Sequence, residues 1–139
     1  MTNISKNKLP EEDFQKLFKK MTEIMTKAQQ TDIEIFLSDL LGKEEKIMLV
    51  KRFIAVVMLC EGNSSYRIWR TLNISPSTAD KIRLDYVSGR YRKLTSLFKR
   101  QPKKYHRLWQ TLELVLQAGL PPRGSARWSS LLRSVSKHK

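Results

Sequence analysis

The stretch "FIAVVMLC", Phe53 to Cys60, sits inside a helical segment running from Lys43 to Glu61 and is apolar on every side. A helix that is apolar all round has to be covered all round, so whatever this chain folds into must wrap that segment. Glu44 and Glu45 in its first turn suit the helix dipole, and Gly62 is placed to stop it. Two arrangements provide the cover. The segment is either the central helix of a small bundle or a helix that crosses a partner subunit, and periodicity leaves both open. Cys60 is the only cysteine, cannot form an internal disulfide, and reads as a core residue of this run.

The remaining sequence predicts helix almost throughout, giving an all-α fold. Glycine and proline are scarce before residue 100, and strand-like alternation is absent. Over residues 11–29, Phe14, Leu17, Phe18, Met21, Ile24 and Met25 recur at intervals of three and four behind Pro10. Thr31 or Asp32 is expected to cap a second helix with a stripe of Ile33, Phe36, Leu37, Leu40 and Leu41, ended by Gly42. At 139 residues, 40% hydrophobic, the chain can build one core with an appendage. We place the main domain over residues 1–99 and a basic helical extension over 100–139.

The segment "SSYRIWRTLNISPSTADKIR", Ser64 to Arg83, carries two short helical patterns around a break at Asn73. Asparagine tolerates the left-handed conformation that ends one helix without a gap. Ser75 suits an N-cap, and Pro76 falls at the first helical position, where a missing N–H costs nothing. Ala79 and Ile82 can then lie against Ile68 and Leu72, with Ile74 plugging the turn. This is the pattern of a helix-turn-helix, whose second helix enters the DNA major groove. Pro76, Ser77, Thr78 and Lys81 are the candidate base-reading residues. Ser65, Tyr66, Arg67, Arg70 and Arg83 are the candidate phosphate contacts. Trp69 stands where a small residue usually faces the second helix. It is expected to widen the interhelical angle or to point into another layer of the fold.

The stretch "FLSDLLGKEEKIMLVKRFIAVVMLCEGNSSYRIWRTLNISPSTADKI", Phe36 to Ile82, resembles the Trp repressor superfamily. The likeness is one of pattern over about a third of the chain. It lies in the "FLxDLL" helix, the acidic start at "KEE", the long helix ending in "EG" and the reader pair that follows. The resemblance implies an all-helical, interlocked homodimer in which the first helices of one subunit wrap the other. Phe36, Leu40, Phe53, Ile54 and Val57 would then lie at the interface. The corepressor pocket carries over in one position of three. Arg52 matches, the reader-helix arginine is Lys81, and a loop threonine is Gly42. We therefore expect no small-molecule effector and no cofactor.

Charge points to the partner. The chain carries 27 Lys and Arg against 13 Asp and Glu, a net of +14. Residues 1–80 hold 12 basic and 11 acidic side chains, whereas 81–139 hold 15 basic against Asp85 and Glu113 alone. A segment so charged repels itself unless it meets a polyanion, which favours nucleic acid. Tyr86, Tyr91 and Tyr105 are interleaved with these cations, placed either to contact sugar and bases or to pack on the domain. Leu108, Trp109, Leu112, Val115 and Leu116 form a further stripe, with Gly119, Pro121 and Pro122 behind it. "RWSSLLRSVSKHK" reads as a last short helix or a tail that orders on DNA.

Other classes find less support. No run of about 18 apolar residues suggests a membrane span, and the N-terminus lacks a signal-peptide pattern, so a cytoplasmic protein is expected. His106 and His138 have no partners at metal-ligand spacing, and no phosphate-cradling glycine loop is present. Ser64, Ser65 and Ser75 read as caps rather than nucleophiles. The sequence thus predicts a non-enzymatic, sequence-specific regulator that binds double-stranded DNA. The alternatives are an RNA-binding or ribosome-associated protein, and a nucleoid-type protein with little base preference.

Overall fold

Lys43 to Cys60 does form one helix, and within it Ala55 through Leu59 are buried in the single chain. A computed structural model describes residues 9–118, and among these every regular element is a helix. In chain order they are α1 (Glu11–Ile24), α2 (Gln30–Leu40), α3 (Lys43–Cys60), α4 (Ser65–Leu72), α5 (Pro76–Val87), α6 (Arg92–Arg100) and α7 (Pro102–Ala118). No described helix is long and apolar enough to cross a membrane. The chain divides into two compact units between Lys43 and Glu44.

The first unit holds α1 and α2. Pro10 caps α1, as its rigid φ allows, and Glu11, Glu12 and Asp13 occupy the positive end of the helix. The helix stops at Ile24 rather than near residue 29, because the chain turns at Met25 and Lys27 takes a left-handed φ of 66°. At α2 the cap is Gln29, two residues before Thr31 and three before Asp32. Asp32 lies at the third helical position, where its carboxylate accepts from the Gln29 N–H at 3.1 Å, one half of a capping box. Gly42 is not the left-handed stop foreseen for this helix. Leu41 ends it in an extended conformation instead. No residue of α1 or α2 is buried.

The second unit closes a core around α3. Ala55, Val56, Met58 and Leu59 pack with Ile68 and Leu72 from α4, Ile74 from the turn, and Ala79 and Ile82 from α5. Trp69, Tyr86, Tyr91, Leu94 and Phe98 close the rim. The helix that is apolar all round therefore finds much of its cover within its own unit. Gly62, at φ 85°, ends α3 as predicted, with Asn63 N–H and its side-chain amide both donating to the Met58 carbonyl.

The α6 helix packs on the same core through Leu94 and Phe98, and α7 packs on α6. Phe98 meets Phe53 edge to face at 5.8 Å and stacks on Tyr105 at 5.1 Å. The boundary expected between residues 99 and 100 thus falls inside this unit, at a hairpin held by aromatic contacts on both sides of it. On α7, Leu112 is buried, and Leu108, Trp109 and Val115 are half-buried, so the predicted stripe does face inward. The Leu116 side chain, the stop at Gly119 and the segment "RWSSLLRSVSKHK" lie outside the described residues.

Candidate nucleic-acid interface

The helix pair α4–α5 is set by local chemistry at three points. Ser64 caps α4, its hydroxyl accepting the Arg67 N–H at 3.2 Å. Asn73 ends α4 in the left-handed region, at φ 58° and ψ 47°. Ser75 caps α5, accepting the Thr78 N–H at 3.1 Å, with Pro76 in the first turn. All three follow the sequence reading. Ala79 and Ile82 face the core beside Ile68 and Leu72, so the opposite side of α5 faces outward.

That outward side holds Pro76, Ser77 and Lys81, all exposed. Thr78 is half-buried, and its hydroxyl lies 2.7 Å from the Ser75 hydroxyl. The Ser77 hydroxyl also lies near the Ser75 hydroxyl, at 3.1 Å, so both side chains share the cap. Asp80, which the sequence reading passed over, is exposed beside Lys81. A carboxylate there accepts from cytosine N4 and repels phosphate. The signal was available, since residues 76, 77, 80 and 81 share one face at helical spacing.

At the other candidate surface, Ser65 is half-buried at the start of α4 while Tyr66, Arg67 and Arg70 are exposed. Arg70 folds onto Tyr66, donating to its hydroxyl at 3.1 Å with the guanidinium 5.7 Å from the ring centre. Trp69 is half-buried at the edge of the core, its ring edge-to-face with Tyr66 at 5.3 Å. Its bulk is thus taken up at the rim of the helix pair, next to the exposed Tyr66–Arg70 pair. Arg83 is half-buried on α5, and Arg52 is exposed on α3.

The least foreseen group is Lys51. Its side chain is 1% exposed, and its ammonium donates to the Asn73 carbonyl at 3.3 Å. Asn73 is the C-cap of α4, so the cation sits at the negative end of that helix. A buried charge is tolerable only with such compensation. The ammonium ties α3 to the turn that sets α4 against α5. A hint lay in the sequence. Lys51 falls one turn after Ile47 and one before Ala55, on a face that both neighbours mark as inward.

The tyrosines in the basic stretch pack on the domain. Tyr86 and Tyr91 close the rim of the core, and the Tyr86 hydroxyl donates to Cys60 Sγ at 3.8 Å. Burial pushes the Cys60 thiol above its ordinary pKa, which favours its neutral form. The Tyr105 hydroxyl donates to Glu61 Oε1 at 2.6 Å, and burial followed by the nearby carboxylate raises its pKa. Among the described residues, no cluster of three or more His, Cys, Asp or Glu is placed to hold a metal ion.

Of the five residues expected at a dimer interface, Leu40 is exposed, and Phe36, Phe53 and Ile54 are half-buried. Val57 has no exposed surface and, in this conformation, nothing to offer a second copy. Comparison with protein-family models, curated proteins and solved structures finds no match to this chain.

Proposed function

We propose that this chain is a Trp repressor-like, sequence-specific regulator that binds double-stranded DNA as a homodimer, with α5 as the reading helix. The observation that carries this reading is the two-sidedness of α5. One side is locked into the core through Ala79 and Ile82, while Pro76, Ser77, Asp80 and Lys81 stand exposed on the other. Rigid seating of a helix and exposure of its first two turns are what base readout in the major groove requires. The start of α4, with Ser65 and Arg67, serves as the phosphate anchor, since the first turn of a helix favours an anion.

The dimer draws support from apolar surface that the single chain leaves open. Phe14, Leu17, Phe18 and Ile24 on α1, and Ile33, Leu37 and Leu40 on α2, are each at least 40% exposed. Leu84 and Val87, on the outer face of α5, are 58% and 70% exposed. Stripes of this kind mark surfaces that associate.

Lysine donates to guanine O6 and N7. Lys81→Ala should therefore cost about 1–3 kcal/mol on a site selected from random-sequence DNA and little on unrelated duplex. The selected site should hold two inverted half-sites about one helical turn apart. Equal losses on selected and random DNA would remove α5 from the reader role. Tighter binding to structured RNA than to any duplex would favour the RNA-binding alternative.

A further inference from the structure

Four cations crowd the junction between α6 and α7. Lys99, Arg100, Lys103 and Lys104 flank Gln101 and Pro102, and all four are exposed. The two acids of residues 81–118 are engaged elsewhere. Asp85 lies 3.6 Å from Arg90, and Glu113 accepts from the Trp109 indole N–H at 2.9 Å. Among the described residues, no ion pair neutralises any of the four. Like charges this close in sequence repel one another. A polyanion relieves that cost.

The junction is also fixed in place. Phe98, one residue before Lys99, meets Phe53 on α3, and Tyr105, one residue after Lys104, bonds Glu61 just beyond the end of α3. These contacts clamp the cationic segment from both sides onto the C-terminal half of α3. Three residues after Glu61 comes Ser64, the cap of α4. Through Tyr105 and Glu61 the cationic segment is tied to the turn that leads into α4, the helix whose amino end is read as the phosphate anchor. Aromatic residues that pack inward here leave the cations outward.

We propose that the α6–α7 junction is a second phosphate-binding element, which engages the backbone of duplex DNA next to the stretch held by α4. The proposal rests on the reading of α4 as a phosphate anchor and extends the protein's footprint beyond the helix-turn-helix. The element carries no base preference, because its side chains are flexible cations without a rigid frame.

The test is the salt dependence of binding to a duplex of mixed sequence, about three helical turns long. Each phosphate contact contributes roughly 0.9 to the slope of log affinity against log salt. Replacing Lys99, Arg100, Lys103 and Lys104 together by Gln should flatten the slope by about 3.6 units for each chain bound and lower affinity more than tenfold at moderate salt. The thermal midpoint should hold or rise, because all four are exposed and their mutual repulsion is removed. As a control for net charge, Lys16, Lys19, Lys20 and Lys27 on the first unit are replaced by Gln together. Should the fourfold junction variant fold poorly, Lys103→Gln alone should flatten the slope by about one unit. An unchanged slope, or one that changes as much in the control, overturns the proposal. So does a variant that loses affinity for structured RNA while keeping its affinity for duplex DNA. If Arg67→Ala leaves the slope intact while the junction variant flattens it, the α4 anchor fails and the junction stands.

Discussion

Residues 9–43 and residues 44–118 carry apolar side chains at the same helical spacing, yet the two units end up differently. In the second, Ile68, Leu72, Ala79, Val57 and Met58 have no exposed surface, and α3, α4 and α5 share one core. In the first, Phe14 and Phe18 stack on each other at 6.0 Å and remain nearly half exposed. Two helices cannot bury two amphipathic stripes on every side, whereas α3 meets three helices of its own unit. Amphipathicity therefore says that a face wants cover. It does not say whether the cover comes from the same chain.

The largest expected effect tests that contrast directly. Ile68→Ala should cost about 2–5 kcal/mol in denaturant unfolding, whatever the protein concentration. Phe18→Ala should cost under about 0.5 kcal/mol in dilute protein, as a half-exposed position does. Its cost should rise with concentration if a second copy covers the stripe. A Phe18→Ala cost that ignores concentration would break the dimer reading and leave the first unit an open appendage.

A smaller effect separates the two left-handed residues, one in each unit. Asn73, at φ 58°, joins two packed helices, and Lys27, at φ 66°, follows α1. Asn73→Ala should lower stability by about 1–2 kcal/mol, since a Cβ without a local polar partner is strained there. Lys27→Gly should act in the opposite sense, by up to about 1 kcal/mol, because glycine adopts that conformation without strain. Thermal midpoints of the two variants give the signs. A destabilising Lys27→Gly would mean that the turn after α1 is held by its side chain.

The smallest effect is one of pH and belongs to the second unit. Tyr105 has a raised folded-state pKa, from burial first and then from its bond to Glu61, so the fold favours its neutral form. Tyr86 is raised as well, through its bond to Cys60 and then burial. Stability from these phenols is present in full below their unfolded value of about 10 and is lost as the pH climbs past it. Tyr105→Phe should therefore unfold less steeply with alkaline pH than the wild type. Parallel curves would mean that the Glu61 bond does not persist in solution.

The stops and starts around α4 and α5 were legible because each depends on a few adjacent residues. Gly62, Ser64, Asn73, Ser75 and Pro76 act through their own φ angles and through hydroxyls that reach three residues along the chain. The same local rule erred at Gly42, where Leu41 had already turned extended, because glycine permits a left-handed stop without requiring one. It also misplaced the cap of α2, since Gln29 with Asp32 competes with Thr31 for the same role.

By itself the sequence determined the helical content, the inward faces of α4 and α5, and the concentration of positive charge after residue 80. Those are properties of neighbours along a chain, and periodicity records them. Only the tertiary structure decided that α3 is largely covered within its own unit, that Lys51 is buried against the Asn73 carbonyl 22 residues away, and that Tyr105 meets Glu61 across 44. Such pairings depend on which helix faces meet in space. A charge in an apolar run is compatible with solvent or with burial until a distant carbonyl is seen to compensate it.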